Sequence, residues 1–135
     1  MIKNNIMIND LIIDAARDKI FLTLIVDKNI YTCTHENSKI NFEKLMILIN
    51  EFLKIHKFSL DDVGIIYVNR GPGSFAGIRN SLSTIKALFL TKKIDYYCFS
   101  FEDFKEPKTI KYEDVPLLCK EYKIKKNLIN PIYLS

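Results

Sequence analysis

The sequence predicts an α/β domain on a mixed five-stranded sheet. Three observations carry this: short apolar runs of strand length, two longer stretches with helical apolar spacing, and a glycine-rich turn joining a strand to a helix. Leu11-Ile12-Ile13-Asp14, Ile20 to Val26 and Ile30 to His35 read as three strands, with Lys28-Asn29 as the tight turn of an antiparallel meander. Asn41 to His56 reads as a helix, Val63 to Val68 as a strand, Ser74 to Leu90 as a helix and Asp95 to Phe99 as a strand. The order is therefore βββαβαβ. Right-handed crossovers build such an order into a sheet of the ribonuclease H kind.

The two helices have more than one patterned face. In the first, Phe42, Leu45, Met46, Ile49, Phe52 and Leu53 form the main apolar stripe, while Leu48 and Ile55 lie outside it together with Ile47. In the second, Ile78, Leu82, Ile85 and Phe89 form the core stripe. Ala76, Asn80, Ser83 and Ala87 repeat the same spacing with small or short residues, and Lys86 is the only nearby charge after Arg79. A bare solvent face normally carries more charge, so both helices are expected to be covered on two sides.

The turn between Val68 and the second helix contains Gly71, Pro72, Gly73, Ser74, Phe75 and Gly77. Pro72 cannot continue a strand ladder, the glycines permit close backbone approach, and Ser74 suits the N-cap of the helix. Free N–H groups at such a helix start could meet an anion. The spacing nevertheless fits neither established phosphate motif: Gly71 to Gly77 encloses five residues and is not followed by Lys-Ser/Thr, and three residues rather than two separate Gly73 from Gly77. A free-standing nucleotide binder thus stays a third reading, behind a purely geometric turn.

Composition bounds the function classes. At 135 residues the chain suits one core. It has no apolar run of membrane-spanning length, and Met1 to Asp10 is Asn-rich without the apolar stretch of a signal peptide, so a cytoplasmic location is expected. Cys33, Cys98 and Cys119 are odd in number and lack CxxC pairing, which points to reduced thiols. The net charge of +4 is carried mainly by lysine, with arginine only at positions 17, 70 and 79. Lys105 to Lys126 is basic but diluted by Glu106, Glu113, Asp114 and Glu121, and reads as a solvated segment; Ile129 to Leu134 reads as one last strand.

A ribonuclease H-like sheet prompts a search for metal-binding carboxylates. Asp14 ends the first strand and Glu43 or Glu51 could supply a second acid, but the fourth strand ends in Asn69-Arg70, whose cation opposes a metal site. A small metal-dependent nuclease or resolvase is the alternative reading. Neither His35 nor His56 pairs into a metal motif, and nothing in the residues specifies catalysis.

The run from Asn69 to Ala87, with its Gly71-Pro72-Gly73-Ser74-Phe75, Gly77 and Arg79, resembles the signature of the bacterial TsaB (YeaZ) family. Leu11-Ile12-Ile13-Asp14 is similar to that family's opening strand and Pro131-Ile132-Tyr133-Leu134 to its closing Pro-x-Tyr-Leu segment. The resemblance implies the actin-like, Hsp70-like superfamily: one lobe over residues 1–104, with the second lobe largely missing and residues 105–135 as its remnant or a tail ending in a strand. It also implies a non-catalytic dimerisation subunit in the formation of threonylcarbamoyladenosine in tRNAs reading codons that begin with A. The implied partners are a TsaD-type catalytic subunit, a TsaE-type ATPase or a second copy, with tRNA met only through the complex. No cofactor is expected on this chain alone; ATP and metal would belong to the partner subunits. The implied partner surface is the two helices, here through Leu48, Ile55, Ala76, Asn80, Ser83 and Ala87.

Overall fold

The computed structural model describes residues 9–133. Its strands are β1 Asn9–Asp14, β2 Lys19–Val26, β3 Asn29–Glu36, β4 Val63–Asn69 and β5 Asp95–Phe99. Its helices are α1 Lys39–Glu43, α2 Leu45–Ile55, α3 Phe75–Lys92 and α4 Val115–Glu121. The sheet order is β3-β2-β1-β4-β5, antiparallel through the β1–β2–β3 meander and parallel across β1–β4 and β4–β5. This is the mixed sheet that the alternation of short apolar runs and helical stretches requires. The meander turns at Asp27-Lys28, one residue earlier than expected, because Val26 pairs with Asn29 and Asp27 takes the left-handed conformation that Asp tolerates.

Period two divides each strand between two layers. Leu11, Ile13, Leu22, Leu24, Ile66, Val68 and Tyr96 face α2 and α3 and form the larger core with Ile49, Leu53, Ile78 and Ile85. The single helix expected over Asn41 to His56 is broken at Lys44, whose backbone (φ −99°, ψ 13°) leaves the helical region. The break lets Phe42 on α1 pack beside Gly77 while Leu45 starts the stripe that rests on the sheet. It also makes Leu45, Leu48, Ile49, Phe52 and Leu53 one continuous buried face, so Leu48 is a core residue and not part of an outer face.

The opposite layer is built by a segment that reads as solvated tail. Val115, Leu118 and Cys119 of α4, at i, i+3 and i+4, are buried against Ile12, Tyr67, Phe99 and Phe104. The apolar pattern is only two turns long and sits among lysines and glutamates, which is why it gives little sequence signal. Ile129 to Leu134 is likewise not a strand over its described residues. It forms one isolated bridge, Tyr133 with Gly73, because the segment crosses the glycine turn and Pro131 has no N–H to donate. Among the described residues no helix is long and apolar enough to cross a membrane.

Asp10 lies on the α4 side of β1, half-buried beside Ile25, Ile65 and Tyr67, and burial pushes its carboxyl up to about 6. A carboxyl whose folded value exceeds its unfolded one contributes stability below the unfolded value, about 3.8, and loses it as pH rises through about 6. Asp10→Asn should therefore stabilise the fold at pH 7 by about 1 kcal/mol after allowance for solvent screening, with no gain at pH 4. Thermal unfolding of both chains across pH 4–8 checks this.

Candidate partner surface and the turn that builds it

The glycine turn is shaped by protein, not by space for a ligand. A Cβ added at Gly73 would overlap the carbonyl oxygen of Ala16, and one at Gly77 would overlap that of Ala15. At Gly71, where φ is +108°, it would overlap the carbonyl of Ile132. The Ser74 N–H donates to the same Ala16 carbonyl at 2.9 Å, and the Ser74 hydroxyl accepts from the Gly77 N–H at 3.2 Å as the expected N-cap. Gly71 and Pro72 are joined by a cis peptide bond. The N-terminal end of α3 thus abuts the carbonyls that end β1, an arrangement that gives the nucleotide-binding reading no support.

Asp14 holds those carbonyls in place. Fully buried, it accepts from the Ala16 N–H at 3.0 Å and from the Tyr112 hydroxyl at 2.6 Å, and it pairs with Arg17 at 3.2 Å. Arg17 in turn lies 4.6 Å over the Phe101 ring. Burial, followed by the charge of Asp14, pushes the Tyr112 hydroxyl well above its ordinary range, so it remains a donor. At the end of β4, the buried Asn69 accepts from the Gly71 N–H at 2.8 Å, closing the start of the turn. Asp14 and Asn69, two of the three positions that the nuclease reading needs, therefore hold local main-chain geometry, while Glu43 and Glu51, its candidates for the second acid, are exposed on the helices. Among the described residues no three His, Cys, Asp or Glu side chains converge.

Arg70 and Tyr112 are the contributors that sequence reasoning missed as site residues. The Arg70 guanidinium donates to both oxygens of Asp103, at 2.7 and 3.4 Å, and to the Asn130 carbonyl at 3.0 Å. Its own N–H donates to Phe99 and its carbonyl accepts from Ile132, each at 2.7 Å. One residue thus ties β4, β5 and the C-terminal segment together. The signal for Arg70 was its rarity in a lysine-rich chain; for Tyr112 there was none beyond aromatic type.

With the turn fixed, α3 presents a defined outer face. Ala76, Ser83 and Ala87 are exposed and Asn80 is half-buried, its amide donating to the Ala76 carbonyl at 2.8 Å. None of the four enters the core; of the expected surface residues, only Leu48 does. Arg79 is exposed beside Lys86, Pro131 and Tyr133. Phe75 at the start of α3 is 56% exposed and packs tilted against Tyr133, with ring centroids 4.7 Å apart. Ile40, Ile47, Ile55 and Leu90 add to the exposed apolar surface of the same helical layer, Ile55 at 74%.

Comparison with known proteins gives a consistent picture. The family model described as TsaD, tRNA N6-adenosine threonylcarbamoyltransferase, matches residues 36–100. A protein of Buchnera aphidicola subsp. Schizaphis graminum, named tRNA threonylcarbamoyladenosine biosynthesis protein TsaB, is 30% identical over 90 residues, 67% of this chain and 43% of the relative. Its namesake from Buchnera aphidicola subsp. Baizongia pistaciae is 35% identical over 65 residues, 42% of this chain and 29% of the relative. The chain thus spans less than half the length of these curated relatives. The structure of YeaZ from Pseudomonas aeruginosa superposes with a TM-score of 0.64 at 19% identity, covering 70% of this chain and 44% of that one, so the two share this mixed-sheet α/β fold.

Two substitutions test the turn. Gly77→Ala, which must displace the Ala15 carbonyl, is expected to cost about 3 kcal/mol and lower the melting temperature by roughly 10 °C. Arg70→Ala leaves Asp103 half-buried without its cation and should cost about 3 kcal/mol while exposing residues 105–133 to limited proteolysis. Calorimetry and mass mapping of the fragments read both effects.

Proposed function

Because this chain belongs to the TsaB (YeaZ) family, we propose that it serves as a non-catalytic scaffold subunit of the complex that forms threonylcarbamoyladenosine in tRNAs reading codons that begin with A. It docks a TsaD-type catalytic subunit through the outer face of its helical layer. The observation that carries this reading is the face itself. Small residues along α3, with Ile47 and Ile55 on α2 and Phe75 and Leu90 at the ends of α3, leave apolar surface uncovered among the described residues, and a folded monomer covers such surface with a partner. Small side chains let an opposing helix approach closely, so complementarity rather than charge provides the affinity. In this reading ATP and metal belong to the catalytic and TsaE-type ATPase subunits, this chain carries no cofactor, and tRNA is met only through the assembly in the cytoplasm.

Co-expression with the TsaD-type subunit, followed by light scattering on size exclusion, tests the proposal. The chain should co-elute as a stoichiometric complex. Ala87→Arg, or Ala76→Arg, should weaken that complex about 30-fold or more with circular dichroism unchanged. Unchanged affinity in both variants would count against the helical interface.

A further inference from the structure

Between α4 and the β4–β5 pair lies a pocket of 440 Å³, within the size range of small-molecule sites. Its floor is formed by Ile65 and Tyr67 of β4 and Tyr97 of β5. Tyr67 and Tyr97 are register partners whose rings stack, 10° from parallel with centroids 5.3 Å apart. Tyr97 is half-buried and leaves ring surface open to the pocket. The wall is the face of α4 that carries Pro116, Cys119 and Lys120, extended by Lys123 in the turn that follows. A helix face laid on a sheet is normally apolar, but this one ends in two ammonium groups. Both lysines are exposed, and neither has an ion-pair partner among the described residues. Their alkyl stems line the wall and their charges stand at the mouth.

The floor holds a polar group with nothing to bond. Tyr67 is 5% exposed, yet its hydroxyl has no hydrogen-bond partner among the described residues. Buried tyrosines usually find one. Among the described residues the polar side-chain atom sealed from solvent without a partner is Asn9 Oδ1, so the Tyr67 hydroxyl keeps an opening to solvent, through the pocket that it lines. Burial, followed by the charge of Asp10, pushes this hydroxyl well above its ordinary range, so it stays protonated and able to donate.

We propose that this pocket binds a small planar aromatic anion, with the ring against Tyr67 and Tyr97 and the anionic group at the mouth between Lys120 and Lys123. A polar atom on the inner edge of the ring accepts from the Tyr67 hydroxyl. The charges select this orientation. Asp10, half-buried on β1 beside Tyr67, opposes an anion at the floor, whereas the two ammonium groups attract one at the mouth without burying it. A neutral ring would leave those cations unused, and an aliphatic anion would leave the hydroxyl and the ring surface unused. Two sources carry this chemistry, aromatic carboxylates and mononucleotides. The pocket lies on the α4 side of the sheet, away from the helical face, so the inference goes beyond the scaffold reading and does not rest on it.

The isotope-labelled full chain is titrated with para-hydroxybenzoate and, separately, with uridine monophosphate, and the amide resonances are followed by NMR. Saturable shifts at Tyr97, Lys120 and Lys123 are expected for at least one probe, with a dissociation constant of about 1 mM or below, as suits a ligand of this size. The tighter probe identifies the source. Its neutral counterpart, para-hydroxybenzamide or uridine, should bind about tenfold more weakly. The double variant Lys120→Gln with Lys123→Gln should weaken the charged probe by a similar factor, with circular dichroism unchanged. The comparison of charged and neutral probes tests the proposal on the native chain, without any variant. Absence of saturation by either probe, equal binding of the neutral counterpart, unchanged affinity in the lysine variant, or the same shifts from inorganic phosphate alone would each overturn it.

Discussion

The close approach of two backbones, the start of α3 against the end of β1, is the constraint on which the rest of the lobe depends. The Ala15 and Ala16 carbonyls occupy the volume that side chains at positions 77 and 73 would need, and the Ser74 N–H bonds the second of them. That contact sets the angle at which α3 leaves the sheet. It thereby decides that Ile78, Leu82 and Ile85 enter the core and that Ala76, Ser83 and Ala87 face outward. Glycine is required because backbone, which cannot yield as a flexible side chain can, is the neighbour in each case.

Much of this was legible in the sequence because it rests on periodicity and on special residues. Strand and helix order followed from apolar spacing, and the Ser74 cap from residue type next to a glycine turn. Three things were not. The break at Lys44 reflects the tertiary demand that Phe42 reach Gly77, which no local propensity encodes. Leu48 looked like an outer-face residue because the apolar stripe was counted over one long helix; counted from Leu45 it is core. The second layer escaped because α4 buries only Val115, Leu118 and Cys119, fewer than a periodicity argument needs, and because Arg70, Asp103 and Asn130 meet only after folding.

The two sides of the sheet are finished differently. On the α4 side, Phe99, Phe101, Phe104 and Tyr122 form a run of edge-on, stacked and tilted ring contacts, and hydrogen bonds such as Tyr122 to Glu106 tie the surrounding loops down. On the helical side the inner faces of α2 and α3 are dry while their outer faces keep large apolar groups in solvent. One side is thus completed internally, while the other keeps the exposed apolar surface on which the proposed docking rests.

The 98 residues separating Asp14 from Tyr112, and the 60 separating Arg70 from Asn130, have a consequence for the order of events during synthesis. On a growing chain the β1–β2–β3 meander can pair as soon as it clears the ribosome, whereas the buried Asp14 carboxylate must wait for Tyr112 and the β4 end for Asn130. Until then the sheet presents Ile12, Tyr67 and Phe99 to solvent. Such long-range closure is slow, and the interval is one in which a nascent-chain chaperone has apolar surface to hold.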